Sequence, residues 1–329
     1  MRVGVAGTGS IVPCFLEAAA LIEGIEIGGI YTRARERAQP IAAKYGIPAI
    51  YTDYPQMMAD RSIDTVYVAS VNSMHYAQAK RALEAGKNVI CEKPFVSTVD
   101  EFIDLKRIAK KNRRFLFEAI LPIHAPNFRL IQSNIGKLGR IKMVQGNFSQ
   151  YSRRYDALKR GETPAVFDPA LSGGALADIN IYNLHLTVGL FGTPQRVHYF
   201  PNKHENGIDT SGVAVMSYDG FQAVCVACKD SAGKKYFQIQ GDAGYILIDS
   251  EISRCRNVTL HCEGQATQLG PSETGNGMVH ELEDFLHIVN DNDLEECGRL
   301  LDHSERVMRV FQAAREDGGI FFAADHKEV

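Results

Sequence analysis

The chain has 329 residues, more than one ordinary compact core accommodates, so its length predicts two domains that each bury an apolar centre. With 45% hydrophobic and 23% charged residues, its composition is that of a globular protein and excludes long disordered or membrane-spanning regions. The formal net charge of -3 offers no basic excess for a phosphate backbone or a membrane surface, so neither nucleic acid nor membrane is an expected partner.

The first part of the chain alternates short apolar runs with helical patterns, which indicates a parallel sheet wound by crossover helices. Gly46 and Gly86 stand where helix ends need a residue with positive φ, and Thr98 with Glu101 has capping-box spacing. These signals predict a doubly wound α/β domain over residues 1–120. Its strands are predicted at 3–6, 26–31, 49–51, 65–69, 88–91 and 115–117, and its helices near 13–22, 34–45, 54–59, 74–85 and 98–111.

After about residue 120 the rhythm changes to strand-like alternation with turns of hairpin length, which predicts an open, largely antiparallel sheet in an α+β domain over 121–329. One helix should open after Ser172-Gly173-Gly174 and run to about Gly189, and helices near 278–290 and 299–315 should pack back on the first domain. The strands are predicted at 142–151, 196–200, 211–217, 221–228, 235–240, 245–249 and 257–262.

Seven cysteines are an odd number without the clustered spacing of a disulfide framework, so we expect reduced thiols. Cys225 and Cys228 form a C-x-x-C, but in a strand-like run positions three apart point to opposite faces. No second Cys or His pair stands at zinc-ligand spacing, and no metal is predicted. The chain opens directly on an apolar strand without a secretory leader, so we expect a cytoplasmic protein.

The segment Gly7-Thr8-Gly9-Ser10-Ile11-Val12 follows the first predicted strand and opens a helix, the context in which a G-x-G-x-x-G pattern binds a dinucleotide. The glycines allow a tight turn and a close approach of the backbone to a pyrophosphate, whose charge then meets the helix N-terminus. Val12 replaces the third small residue, which affects the packing of helix on strand but leaves the phosphate site in place.

The end of the second strand separates the two nicotinamide cofactors, because an acidic side chain there accepts hydrogen bonds from the ribose 2′-hydroxyl. Here the residues are Thr32 and Arg33, with Arg37 one helical turn further on. A hydroxyl and two guanidinium groups suit a 2′-phosphate, so the sequence favours NADP, with NAD as the alternative.

Glu92-Lys93-Pro94 comes directly after the fifth predicted strand, at the carboxyl edge where ligands of doubly wound sheets bind. A lysine beside a nicotinamide polarises a substrate oxygen and lowers the pKa of a neighbouring acid. The position of Lys93, more than its residue type, marks it as a candidate catalytic residue.

Four segments in this order carry a resemblance to a known family: AGTGSI at 6–11, ASVNSMHY at 69–76, AGKNVICEKP at 85–94 and GGALAD at 173–178. They are typical of the glucose-fructose oxidoreductase and inositol dehydrogenase family, Gfo/Idh/MocA, and the chain resembles that family over nearly its whole length. Val71 stands where the family usually has proline, and Val12 where it usually has alanine or glycine.

The resemblance implies a Rossmann domain followed by a substrate domain, with Lys93 catalytic and two further catalytic residues on the helix after the G-G-x-x-x-D motif. Asp178 matches the family aspartate, and Tyr182 stands four residues on, where inositol dehydrogenases have His. Glycine-loop residues, the loop after the fourth strand and the E-K-P motif are implied as cofactor contacts, although a core or capping role is as plausible for His75. These contacts are Gly7, Thr8, Gly9, Ser10, Ile11, Ser70, Asn72, His75, Glu92 and Lys93.

Asp178, Tyr182 and His185 lie at i, i+4 and i+7, so a helix places them on one face. Hydride transfer from an alcohol requires a group that takes the hydroxyl proton. Tyr182 does so if the Lys93 ammonium lowers its pKa, and His185 is the rival because its intrinsic pKa is near working pH. Asp178 would orient Lys93 or hold the substrate.

These residues predict an NAD(P)-dependent oxidoreductase acting on a sugar, polyol, dihydrodiol or related hydroxy or carbonyl compound, and Tyr182 leans towards the sugar and dihydrodiol members. Two alternatives stay open: a nicotinamide-dependent glycosidase of the same family, and a cofactor-binding regulator without catalysis. By the family resemblance, the exposed face of the second sheet pairs with another subunit, which predicts a homodimer or homotetramer.

Overall fold

The computed structural model describes residues 1–271 and 275–326, and the chain divides into two compact units. The first unit comprises Met1–Ala119 together with Asn276–Glu305. The second comprises, among the described residues, those from 120 to 275 and from 306 to 326. The first unit is therefore built from two separate stretches of the chain.

The first unit contains a parallel sheet in the order β3-β2-β1-β4-β5-β6, which confirms the predicted doubly wound fold. Every residue of β4 and β5 is buried, because helices cover both faces of such a sheet. The strand order reverses between β1 and β4, and the loops that follow them border the crevice where ligands of such sheets bind. The strands are β1 Arg2–Ala6, β2 Glu26–Tyr31, β3 Ile50–Tyr51, β4 Thr65–Val68, β5 Asn88–Glu92 and β6 Leu116–Ala119.

The capping signals read from the sequence mark helix ends in the structure, although the first helix lies two to three residues before its predicted position. The Thr98 hydroxyl accepts a hydrogen bond from the Glu101 amide at 3.2 Å, and the Glu101 carboxylate accepts one from the Ser97 amide at 2.9 Å. Gly46 has φ 65° at a helix end, as its left-handed position requires. The helices are α1 Ile11–Ala19, α2 Arg35–Tyr45, α3 Tyr54–Ala59, α4 His75–Glu84 and α5 Val99–Asn112.

The second unit contains a largely antiparallel sheet in the order β14-β13-β12-β11-β7-β10-β9-β8, which confirms the predicted class. Burial alternates along these strands, so one face is covered and the other is half-exposed. The strands are β7 Ile141–Ser149, β8 Arg196–Lys203, β9 Asp209–Tyr218, β10 Phe221–Cys228, β11 Tyr236–Gly241, β12 Gly244–Ile248, β13 Val258–Cys262 and β14 Gln265–Gln268.

Two features of this unit go beyond the sequence prediction. Strand β7 pairs in parallel with β10, so their carboxyl ends lie at the same edge of the sheet. The short strand β14 and three helices were not predicted, because their segments are too brief or too broken by proline to show a clear period. The helices are α6 Leu121–His124, α7 Pro126–Asn134, α8 Arg153–Lys159 and α9 Ile181–Phe191, of which α9 was predicted.

Two helices close the described chain, α10 Met278–Asn290 and α11 Leu294–Asp317. Phe285 of α10 stacks on Phe117 of β6 with ring centroids 4.4 Å apart, so this late segment completes the core of the first unit. Helix α11 begins five residues before the predicted 299. No helix in the described ranges is long and apolar enough to span a membrane.

Candidate active site

The glycine loop after β1 is shaped for a bound anion. Gly7 has φ 133°, and a Cβ on it would collide with the backbone of Ala69. A Cβ on Gly9 would meet only the Ala69 carbonyl oxygen, at 3.9 Å, so the protein leaves open space there. Helix α1 then begins without a side-chain cap and without an acidic residue in its first turn. This loop fits the pyrophosphate of a dinucleotide.

The residues after β2 offer positive charge at the expected position of the 2′-substituent. Thr32 is buried, and its hydroxyl accepts a hydrogen bond from the Ala34 amide at 3.3 Å, so it shapes the turn. Arg33 and Arg37 are exposed. The exposure and charge of these two side chains are therefore compatible with a phosphate held by two guanidinium groups.

His75 lies inside the protein between two loops. Its side chain is 1% exposed, with Nδ1 3.0 Å from the Pro94 carbonyl oxygen and Nε2 3.3 Å from the Ser70 carbonyl oxygen. Burial lowers the pKa of His75 and favours the neutral ring. Both nitrogens face the backbone, which favours the structural role that the sequence left open. Ser70 and Asn72 are half-buried beside it.

Glu92 and Lys93 differ in environment although they are neighbours. Glu92 is buried and accepts a hydrogen bond from the Tyr67 hydroxyl at 2.6 Å, and the Tyr67 ring stacks on Phe15 of α1. Burial raises the pKa of Glu92, against the opposing effects of the Tyr67 bond and the Lys93 charge. Lys93 is half-buried. Glu92 is thus fixed in the interior, whereas the neighbouring Lys93 stays partly accessible.

The helical segment after the second glycine pair starts with a π-helical turn, Leu176–Asn180, and continues as α9. Residues 176–188 are buried except at two positions, Asp178 and Tyr182. His185 is fully buried. The three candidate residues therefore do not share one accessible face of the helix: Asp178 and Tyr182 are accessible, and His185 lies in the interior.

The Asp178 carboxylate forms an ion pair with Lys229, the residue that follows β10. The Lys229 side chain is 8% exposed and that of Asp178 is 31% exposed, so the lysine reaches the carboxylate from the interior. The Tyr182 ring lies 5.8 Å from that of Phe148 on β7 and packs on the buried cluster around Ala227 of β10. The two accessible groups are thus held by the parallel strand pair.

Lys229 is a residue of this site that the sequence analysis missed. It stands directly after a strand, as Lys93 does, and a charged residue at that position was the available signal. That signal was not sufficient, because the sequence around Lys229 does not show that β10 runs parallel to β7 or that Asp178 lies near the end of β10. Within the described residues no group of three or more His, Cys, Asp or Glu side chains could hold a metal ion.

The doubly wound sheet carries an anion-binding glycine loop, and the second unit exposes an aspartate and a tyrosine on one helical segment. Together these features are typical of a nicotinamide-dependent oxidoreductase. Residues 1–119 match the GFO/IDH/MocA oxidoreductase family with an NAD-binding Rossmann fold, and residues 129–247 match the GFO/IDH/MocA C-terminal domain. The chain belongs to this family, which confirms the resemblance seen in the sequence, and it is an NAD(P)-binding oxidoreductase.

Known relatives span the whole chain. A scyllo-inositol 2-dehydrogenase (NADP(+)) of Bacillus subtilis is 34% identical over 326 residues, 99% of this chain and 99% of that protein. A D-xylose 1-dehydrogenase (NADP(+)) of Haloferax volcanii is 29% identical and covers 96% of this chain and 97% of its own. The crystal structure of a 3-ketoreductase from Actinomadura kijaniata with NADP and TDP-benzene has a TM-score of 0.84 at 21% identity, covering 96% of this chain and 97% of that one.

Proposed function

We propose that the protein transfers a hydride between NADP and a hydroxyl-bearing carbon of a polyhydroxylated ring compound, such as a sugar, cyclic polyol or dihydrodiol. The observation that carries this proposal is the accessible pair Asp178 and Tyr182 on a segment that is otherwise buried from 176 to 188. The names of the relatives, an inositol and a xylose dehydrogenase that use NADP(+), support the substrate class and the cofactor.

The first unit would hold the cofactor, which supplies the hydride acceptor or donor when bound. Backbone amides of the loop Gly7–Ile11 would bind its pyrophosphate, and Arg33 with Arg37 would bind the 2′-phosphate. The glycine turn and the exposed guanidinium groups support this assignment, as does the absence of a carboxylate at the end of β2. The loops that contain Ser70, Asn72 and Glu92 would contact the rest of the cofactor.

Tyr182 would handle the proton of the reacting hydroxyl. The ordinary pKa of a tyrosine is about 10, so a cation must stabilise the phenolate, and the Lys93 ammonium is our candidate for that role. Tyr182 is preferred to His185 because the imidazole is fully buried. Asp178, fixed by Lys229, would accept a hydrogen bond from a substrate hydroxyl. Of the two roles that the sequence left open for Asp178, orienting Lys93 or holding the substrate, the ion pair with Lys229 favours the second.

One experiment separates this proposal from its rivals. NADPH and NADH are titrated, and scyllo-inositol, D-xylose and dihydrodiols are then screened at the nicotinamide absorbance. We expect tighter binding of NADPH and net reduction of NADP⁺ by at least one compound. Release of sugar from glycosides without net reduction would indicate the glycosidase, and binding without any turnover would indicate the regulator. NADH binding as tight as NADPH binding at equal salt would overturn the cofactor assignment.

We further propose that the face of the second sheet opposite α9 joins two copies of the chain as a homodimer or as part of a homotetramer. Phe200 on β8 is 63% exposed and pairs with Val213 of β9, which pairs with Val226 of β10. These side chains form an apolar row of the kind found at subunit interfaces. Phe200→Lys should shift the mass measured by light scattering towards the monomer, and an unchanged mass would contradict this interface.

The cysteines support a cytoplasmic location, which we propose on chemical grounds. All seven are free thiols, and four of them are buried: Cys91, Cys225, Cys255 and Cys297. Thiols persist in the reducing cytosol, where nicotinamide dinucleotides are also available. Fractionation of cells that express the protein would test the location.

A further inference from the structure

Asp209, the first residue of β9, carries a buried carboxylate that holds the start of the Asp178 helix. The residue is 1% exposed, and its Oδ2 accepts hydrogen bonds from the Leu176 amide at 2.6 Å and from the Tyr199 hydroxyl at 2.6 Å. Burial raises the pKa of Asp209, and the hydrogen bonds from Tyr199 and the backbone oppose that rise. The carboxylate and the helix start are 33 residues apart in sequence.

Close contacts explain both glycines before the helix, and for Gly174 the contact is with Asp209. Gly174 has φ 108°, and a Cβ on it would collide with the Asp209 carboxylate. A Cβ on Gly173 would lie 2.6 Å from the Val166 carbonyl oxygen. The chain can pass Asp209 only without a side chain at position 174, so Asp209 sets the residue at which the helix begins.

The start of the helix in turn sets where the candidate catalytic groups point. The Asp178 amide donates to the Gly174 carbonyl oxygen at 2.9 Å, and Tyr182 follows one turn later. Successive helical residues are rotated by about 100°, so a shift of one residue at the start would move both groups off the accessible side. The buried flanking residues would take their place.

A second tie holds Asp209 itself. Tyr199 on β8 donates its hydroxyl to Asp209, while its amide donates to the Asp317 carboxylate at the end of α11, at 2.8 Å. A Cβ on Gly212 would meet the Tyr199 ring, so the tyrosine is closely packed. The carboxylate therefore has a fixed position against which the helix start is set.

We propose that Asp209 is a positioning residue for the reaction: it fixes the register and orientation of the segment that presents Asp178 and Tyr182 to the substrate. This inference rests on the proposed function, because Asp209 acts only through the roles proposed for Asp178 and Tyr182. Asp209 itself is assigned no contact with substrate or cofactor. It predicts that weakening the Asp209 bonds lowers kcat and leaves cofactor affinity unchanged.

The test compares Asp209→Asn, which keeps the shape of the side chain, with Tyr199→Phe, which removes one donor, and Asp230→Asn as the matched control. The Asp230 carboxylate accepts hydrogen bonds from the hydroxyls of Thr210 and Ser211 on the same strand but none from the helix. Each variant is assayed for kcat and KM with the compound that the screen selects, for NADPH affinity, for urea midpoint and for amide hydrogen exchange.

We expect Asp209→Asn to lower kcat about 10- to 100-fold with NADPH affinity unchanged, and to speed exchange of the amides of 175–182. Tyr199→Phe should lower kcat by a smaller factor, and Asp230→Asn should shift the urea midpoint alone. A folded Asp209→Asn protein with wild-type kcat and wild-type exchange would overturn the inference. If the wild-type protein turns over no compound, the proposed function fails, while the exchange measurement still decides whether Asp209 holds this segment.

Discussion

The two units present their candidate functional groups in different ways. In the first unit these groups lie on loops at the carboxyl edge of a parallel sheet, and each is placed by the strand directly before it, as Lys93 is by β5. In the second unit they lie on a helix packed against a sheet, and contacts distant in sequence hold them. Asp178 and Lys229 are 51 residues apart.

The difference suggests that cofactor binding and proton handling are separable by mutation. Changes at the glycine loop and at Arg33 should act on cofactor affinity, whereas changes around the helix should act on turnover with affinity intact. The expected effects fall from several powers of ten at the reacting group to a small change in stability at a surface ion pair.

The largest effect is expected at Tyr182. Tyr182→Phe removes the proton-handling hydroxyl and should lower kcat about 10²- to 10⁴-fold, the usual contribution of a general acid or base, with NADPH affinity unchanged. Steady-state kinetics measure kcat, and cofactor titration measures the NADPH affinity. Tyr245→Phe on β12, which removes a tyrosine hydroxyl elsewhere in the same unit, is the control. Full activity in Tyr182→Phe combined with inactivity of His185→Gln would transfer the role to His185.

The second-largest loss of turnover is expected when the ion pair between Lys229 and Asp178 is broken. Lys229→Met leaves a partly buried carboxylate without its cation, so kcat should fall about 10- to 100-fold through misplacement of Asp178. The free energy of unfolding should fall by about 1–3 kcal/mol, measured in urea. In a double variant with Asp178→Asn the two losses should be less than additive, and strict additivity would show that the pair is not coupled.

A smaller and more selective effect is expected in the first unit. Arg33→Ala removes a charge-assisted contact with the 2′-phosphate and should weaken NADPH binding about tenfold at low salt, with NADH binding unchanged. Arg35→Ala is the matched control, since the Arg35 guanidinium donates to the Ile50 carbonyl at 3.2 Å. Equal weakening of both cofactors by Arg33→Ala would contradict the assignment.

The smallest effect is expected at Asp104 on α5, a residue assigned to neither the cofactor site nor the reacting groups. Burial acts to raise the pKa of Asp104, but bonds from Lys80, Arg107 and Tyr76 lower it to about 2. Because the folded pKa lies below the ordinary value of about 4, the stabilisation is complete above pH 4 and is lost as pH falls towards 2.

Asp104→Asn should therefore lower the free energy of unfolding by about 0.5–1 kcal/mol at pH 7, and the difference from wild type should shrink as pH falls towards and through about 2. Urea titrations across this range measure the trend, and kcat should not change. A difference that grows as pH falls would show that another group dominates.

The sequence predicted the first unit more completely than the second, for a physical reason. Parallel strands joined by helices carry local signals at each boundary, such as Gly46 and the Thr98 cap, and motifs follow strands at a fixed edge. The placement of Gly7 and Lys93 after β1 and β5 therefore needed no knowledge of distant contacts.

The second unit depends on pairings that cross long stretches of chain. Local alternation predicted most of its strands, but not that β7 enters the sheet beside β10 or that Lys229 meets Asp178. Helical spacing placed His185 with Tyr182, yet the histidine is fully buried, and the segment opens with a π-helical turn that a regular helical repeat does not include. Side-chain exposure on such a helix is a property of the partner surface, which the helix sequence does not contain.

The discontinuous first unit has a consequence for synthesis. Its core takes Phe285 from a helix that follows the entire second sheet, so the ribosome exposes the sheet unit before the dinucleotide-binding unit has all its parts. The apolar face of the N-terminal 119 residues that receives α10 therefore stays uncovered until Met278–Asn290 has been synthesised. This interval is when the nascent protein is most prone to aggregation, and a fragment that ends at residue 119 would remain in that state.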